Sequence, residues 1–178
     1  MLFRSNDKIG IIFFSDKIEK FIPPQKGKKH ILYVIRELID FQPTDKQTNI
    51  EQVLKYLTNA IKKRCTAFLI SDFIDNHNYQ DALTIANRKH DVVAIQVYDH
   101  RETELPDVGL MKIKDAETGV EQWIDCSSKR VRETYKKWWE SRQKEMNNSL
   151  KKSGVDSVSI TTEDDYVKSL LALFAKRN

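Results

Sequence analysis

Two runs of β-branched and aromatic residues close on the same dipeptide, Phe14-Ser15-Asp16 and Ile70-Ser71-Asp72, and a third closes on Tyr98-Asp99. Where strands lie parallel, their carboxyl ends share one edge of the sheet, and ligands bind in the crevice beyond it. Hydroxyl and carboxylate oxygens gathered there suit a hard divalent cation such as Mg²⁺. A Mg²⁺-dependent enzyme built on Asp16, Asp72 and Asp99 is therefore one reading. The other is that Ser and Asp merely cap helices and open turns.

Other chemistry is harder to write from these residues. The 5 glycines stand alone, at Gly10, Gly27, Gly109, Gly119 and Gly154. Neither a phosphate loop nor a dinucleotide fingerprint can be assembled from isolated glycines, and Lys26-Gly27-Lys28-Lys29 lacks the remaining parts of one. His30, His77, His90 and His100 show no two-histidine ligand spacing. Cys65 and Cys126 have no adjacent base in sequence, and Ser15 and Ser71 lack the Gly-x-Ser-x-Gly elbow.

The elements that position these residues follow from periodicity. Lys8–Phe14, Thr66–Ser71 and Val92–Tyr98 are near-continuous apolar runs, the pattern of strands buried on both faces. Lys17–Ile22 alternates and meets Pro23-Pro24, which predicts an edge strand ending there. Helical spacing runs from Ile31 to Ile39, stopped by Pro43, and from Ile50 to Ile61 behind a capping box, Thr48-Asn49-Ile50-Glu51. A short helix spans Ala82–Lys89, with Asn78 and Asp81 available as caps. Met111–Lys114 and Glu121–Asp125 form a hairpin turning at Ala116-Glu117-Thr118-Gly119. Lys129–Lys152 is a long helix, Val155–Ile160 a last strand, and Glu163–Lys176 a helix capped by Thr162. Strands alternating with helices predict a mostly parallel sheet covered on both faces.

The 178 residues, 40% hydrophobic and 31% charged, fit a single globular domain with a real core. The longest apolar runs, Ile11–Phe14 and Leu170–Ala175, are too short to span a bilayer. No signal-peptide pattern opens the chain, and two unmatched cysteines read as free thiols, so a cytoplasmic protein is expected.

Residues 129–152 hold nine Lys and Arg against Glu133, Glu140 and Glu145, with Trp138 and Trp139 among them. Basic residues interleaved with aromatics invite a nucleic-acid reading of this helix. On a helical wheel, however, Val131, Tyr135, Trp138, Trp139, Met146 and Leu150 share one side, and most charges the other. Glu133–Lys137 and Glu140–Lys144 stand at i,i+4 spacing. The segment is read as a solvated face over a buried aromatic stripe, with no nucleic acid, or as a protein-docking surface.

Taken in order, Asp7-Lys8-Ile9-Gly10-Ile11-Ile12-Phe13-Phe14-Ser15-Asp16, Phe21-Ile22-Pro23-Pro24, Gln47-Thr48-Asn49-Ile50 and Leu69-Ile70-Ser71-Asp72-Phe73 form a recognisable series, continued by Glu104–Gly109 and Asp115–Gly119. The series resembles the bacterial proteins of domain of unknown function 58. The resemblance implies an α/β fold like the von Willebrand factor A domain, a Rossmann-like doubly wound sheet of strand order 3-2-1-4-5-6, with an inserted β-hairpin. It implies a MoxR-type AAA+ ATPase as partner, and a role in assembly or maturation of other proteins rather than catalysis.

In that wider fold a metal-ion-dependent adhesion site combines Asp-x-Ser-x-Ser, a threonine and an aspartate. Thr48 and Asp72 match the last two, with Ser15, Asp16, Ser71 and Asp99 as sheet-edge neighbours, but Asp-x-Ser-x-Ser does not occur. The expectation is a vestigial site that holds no cofactor, where Mg²⁺ binds only if the missing motif is restored, and where Thr48 serves as a helix cap. Met1–Asn6 resembles the tail of the family's first helix, so a single domain over residues 1–178 lacking the first central strand is expected. Because unpaired strand edges are costly, either the strands ending at Phe14 and Ser71 close up and pair in parallel, the expected outcome, or a segment from another chain fills the space. The uncovered sheet face should be covered by a second copy, giving a homodimer.

Overall fold

A computed structural model of the chain describes residues 7–115 and 119–177. The readings placed on Met1–Asn6 and on the turn at 116–118 lie outside the described residues. The chain runs β1 (Ile9–Phe14), β2 (Ile18–Gln25), α1 (Lys28–Asp40), α2 (Ile50–Ala60), β3 (Thr66–Ser71), α3 (Gln80–Lys89) and β4 (Asp91–Tyr98). A 3-10 turn (His100–Glu102) leads to β5 (Leu110–Lys114), β6 (Glu121–Asp125), α4 (Lys129–Lys152), β7 (Asp156–Thr161) and α5 (Tyr166–Ala175).

The result is a mixed α/β fold whose parallel part is three strands, β3-β4-β7, in unbroken register from Thr66↔Asp91 to Ser71↔Gln96 and from Val93↔Asp156 to Tyr98↔Thr161. Strand β4 is central and reads accordingly: Val92, Val93, Ala94, Ile95 and Gln96 are all buried. One face of this sheet carries the main core, in which Leu69, Val92 and Ala94 meet Ile50, Val53 and Leu54 of α2, Leu83 and Ala86 of α3, and Met146 and Leu150 of α4. The β5-β6 hairpin forms its own two-stranded sheet, as expected from sequence.

The sheet is not continuous. Among the described residues β1 pairs only with β2, antiparallel, and β3 pairs only with β4. The expected closure of β1 onto β3 is therefore corrected. Besides its ladder with β2, strand β1 is held to the rest of the molecule by side-chain packing: Ile12 and Phe14 rest on the α2–α3 core, while Phe13, Ile22 and Val34 make a second small core with Ile11 and Phe41. Phe13 and Phe41 stack with ring centroids 4.4 Å apart. Packing on both faces of β1 positions it without a ladder to β3.

Strand β2 runs through Pro23-Pro24 to Gln25 rather than ending at Ile22. The register skips between Ile9↔Gln25 and Ile11↔Ile22, so the two prolines sit in a bulge that needs no ladder donor. Gly10 makes the bulge possible, because a Cβ there would lie 2.9 Å from both the Ile22 carbonyl oxygen and the Pro24 nitrogen. Two caps also differ from expectation. Asn49, not Thr48, caps α2, accepting from Gln52 N–H at 2.9 Å. Helix α5 begins at Tyr166 because Asp165, not Thr162, accepts from Val167 and Lys168 N–H. In α4 the ion pairs are Lys129–Glu133 and Arg142–Glu145, replacing the expected Glu133–Lys137 and Glu140–Lys144. Trp139, Met146 and Leu150 are buried as the wheel implies, whereas Trp138 stays 42% exposed.

Candidate functional site

The turn after β3 is fixed by side-chain oxygens and by burial. Ser71 Oγ accepts from Phe73 N–H at 3.1 Å, and Asp72 Oδ1 accepts from Ile74 N–H at 3.0 Å. Between them Phe73 has φ 60°, a conformation that bulky side chains avoid. Burial of its ring beside Tyr79, at 6.4 Å, holds it there. The turn delivers Asp75 beneath the start of α2. Its side chain is fully shielded; Oδ2 accepts from Ile50 N–H at 2.7 Å, and Oδ1 lies 2.7 Å from His77 Nδ1 and accepts from His77 N–H at 2.8 Å. A carboxylate at a helix N-terminus is also favoured by the macrodipole.

His77 is half exposed, and its pKa is raised chiefly by the Asp75 hydrogen bond, with the Asp75 charge, the Thr48 carbonyl and Glu51 adding to it. A ring held by Asp75, with the Thr48 carbonyl nearby, ties the loop to the start of α2 and is not a free proton shuttle. The shallow cleft beside it, about 220 Å³, is lined by Phe73, His77, Tyr79, Arg142 and Met146. Burial, with the Asp75 charge alongside, pushes the Tyr79 hydroxyl up to about 12.

The other sheet-edge residues fall into two groups. Ser15 Oγ donates to Glu19 Oε1 at 2.7 Å and lies 3.2 Å from Asp16 Oδ1. Thr44 donates to Glu19 as well, and these hydroxyls hold the Glu19 carboxyl below its usual range. Glu19 was not singled out in the sequence, where it reads as one charge on an alternating strand. Across the gap, Gln96 donates to the Asp72 carbonyl at 3.2 Å and accepts from Ser159 Oγ at 2.8 Å. Asp99 caps the 3-10 turn through Arg101 N–H. Burial pushes the Glu102 carboxyl up, helped by the charges of Asp72 and Asp99. Thus Asp72 and Asp99 share a field, Ser15 and Asp16 sit with Glu19, and Thr48 serves His77.

At the opposite edge the parallel register does something the sequence conceals. With Thr66 paired to Asp91, the residues just before them become neighbours: Cys65 Sγ lies 3.4 Å from His90 Nδ1. Both shifts oppose a reactive thiolate. Burial raises the Cys65 pKa, and burial, then Lys89 and Arg64, lowers that of His90. His90 is fully buried, and its Nε2 has no hydrogen-bond partner.

Residues 1–145 match the family model described as "Protein of unknown function DUF58". The chain belongs to the DUF58 family. Uncharacterized protein MAV169 of Mycobacterium avium is 26% identical over 158 residues, covering 88% of this chain and 93% of that one. Uncharacterized protein Rv1480 of Mycobacterium tuberculosis is 23% identical over 173 residues, or 96% of this chain; the DUF58 chain spans only 54% of that relative's length. Two solved structures share the fold. BatB from Bacteroides thetaiotaomicron superposes with a TM-score of 0.56 at 13% identity, over 97% of this chain and 80% of that one. An aerotolerance-related membrane protein from Bacteroides fragilis, carrying multiple mutations to serines, gives 0.58 at 14% identity, over 97% and 81%.

This DUF58 chain does not fit an adhesion-type cation site with the residues described. Asp72 Oδ1 is engaged by Ile74 N–H and Ser71 Oγ, and no Asp-x-Ser-x-Ser supplies further oxygens. Among the described residues no three His, Cys, Asp or Glu side chains are grouped to hold a metal ion. Nor is any helix among them long and apolar enough to cross a membrane.

Proposed function

We propose that this DUF58 chain is a cytoplasmic, von Willebrand factor A-like protein-interaction module, not an enzyme, that works with a MoxR-type AAA+ ATPase in the assembly or maturation of other proteins. The observation that carries the reading is one side of the sheet. Leu69, Ile12 and Phe14 point to the α2–α3 core, so by alternation Phe68, Ile70, Ile11 and Phe13 face the other side, with α1 and α5. There Phe68 is 47% exposed and Ile70 58%; on the flanking helices Leu171 of α5 is 66% exposed, and Ile35, Leu38 and Ile39 of α1 are exposed too. Beside them run edges of β1 and β3 that pair with no strand among the described residues.

Many exposed large apolar side chains on neighbouring elements are uncommon on soluble proteins and point to a site of association. Open strand edges add backbone donors and acceptors that a partner's strand satisfies. A second copy of the chain is the simplest occupant, giving a homodimer. The ATPase as partner class follows from the family resemblance.

The test is co-elution of the purified chain with a MoxR-type ATPase from the same cell, with and without ATP. Association that is lost in Phe68→Asp and Ile70→Asp supports the reading. An ATPase that never associates, together with a monomer at all concentrations, overturns it.

A further inference from the structure

We propose that a second surface, the groove between α4 and the β5-β6 hairpin, docks an acidic amphipathic helix of a partner protein. The groove encloses about 640 Å³ and is lined by Leu105, Ile124, Val131, Tyr135 and Trp138, with Arg130 at its lip. That volume falls within the range of about 300–1,000 Å³ typical of ligand sites.

The groove is rigidly built. Arg132 donates to the carbonyls of Cys126 and Ser127 at 2.6 and 2.9 Å and pairs with Asp107 at 3.1 Å, stapling α4 to the hairpin and to the loop before it. Tyr135 donates its hydroxyl to the Glu102 carbonyl at 3.0 Å, and its ring packs 5.5 Å from that of Trp138. Trp138 therefore stands in place with its outer face open, the posture of an interface anchor.

Charge decides the occupant. Lys129, Arg132, Lys136 and Arg142 are paired with Glu133, Asp107, Glu104 and Glu145. Arg130 and Lys137, two turns apart on the same side of α4, have no ion-pair partner among the described residues. Both are exposed. An apolar floor bordered by Arg130, with Lys137 further along the same side of α4, selects apolar side chains flanked by carboxylates. From Val131 to Trp138 the floor is about 10 Å long at 1.5 Å per residue. A guest helix presents apolar residues at i, i+4 and i+7 over that same length. Nucleic acid would also meet cations and an aromatic here, but three of the nearby cations, Lys129, Arg132 and Lys136, already face carboxylates, and the floor is aliphatic as well as aromatic.

The experiment titrates the full chain with a fluorescein-labelled helical peptide carrying Leu at i, i+4 and i+7 and Glu on its other face. Its Lys-for-Glu twin and a single-stranded oligonucleotide are the comparisons. Saturable binding of the Glu peptide, with a shift in tryptophan emission, is expected. Trp138→Ala should abolish the shift, and Arg130→Glu combined with Lys137→Glu should weaken binding about tenfold while improving the Lys twin. Both reversals are on exposed side chains, so circular dichroism and the melting temperature should not change. Phe68→Asp, on the sheet face, should leave peptide binding intact, which separates this surface from the one above. The proposal is overturned if the Glu peptide does not bind, if the charge reversals leave it unaffected, or if the twin or the oligonucleotide binds more tightly.

Discussion

Asp75 Oδ1 and His77 Nδ1 lie 2.7 Å apart, with the carboxylate wholly buried and its second oxygen capping Ile50 at the start of α2. The pair couples the end of β3 to α2 and makes their union sensitive to pH. Because the folded His77 pKa is raised, folding takes up protons. Its contribution is complete below the unfolded pKa near 6.5 and is lost as pH rises through the folded value. The His77 contribution to the melting temperature should shrink as pH rises above about 6.5, and His77→Gln should remove that part of the pH profile. Asp75→Asn should cost about 1–3 kcal/mol, since it weakens a buried acceptor of three donors. An unchanged pH profile in His77→Gln would contradict the assignment.

His90 works in the opposite direction. Its folded pKa is lowered by burial, so its contribution is present above about pH 6.5 and is lost as pH falls, when the buried ring must charge. Cys65, raised by burial and set against this neutral ring, should react slowly with a thiol reagent in the folded protein and quickly in denaturant. Rapid labelling of native Cys65 at neutral pH would mean that the dyad is activated.

Much of the local structure was legible because it rests on local signals. Strand β3 was readable residue for residue from its apolar run, and α4 from Lys129 to Lys152 by its 3.6-residue stripe. What was hidden depends on residues brought together from a distance. Cys65 and His90 are 25 positions apart and meet only through the β3-β4 register. Asp75 and Ile50 are likewise 25 apart, so the sequence offered Thr48 as the cap while a distant carboxylate satisfied the helix start. The family resemblance located Thr48 and Asp72 but could not say that one would serve His77 and the other its own turn. The unclosed gap was illegible for a related reason. An apolar strand run does not say which neighbour a strand pairs with, and in β3 it overstates burial: the run implies a strand buried on both faces, yet Phe68 and Ile70 are exposed.

Trp139 is buried against Tyr98 at 5.5 Å, whereas Trp138 faces the groove. Trp139→Ala should cost about 3–5 kcal/mol and lower the melting temperature sharply. Trp138→Ala should cost far less. Equal losses would mean that the groove is part of the core.

Mg²⁺ or Mn²⁺ should leave the melting temperature unchanged, because a ligand stabilises only through a site on the folded state. A dose-dependent rise that disappears in Asp72→Ala would contradict the reading of Asp72 as a turn residue.

Hydrogen–deuterium exchange on the sheet face between α1 and α5 is the most direct test of association there. It is measured at low and high chain concentration and with an added MoxR-type ATPase. Residues 66–71 and 166–175 should become protected in at least one of the last two conditions, because a docked chain covers Phe68, Ile70 and Leu171. Unchanged exchange in both segments under both conditions would contradict the proposal that this face is where the module meets another protein.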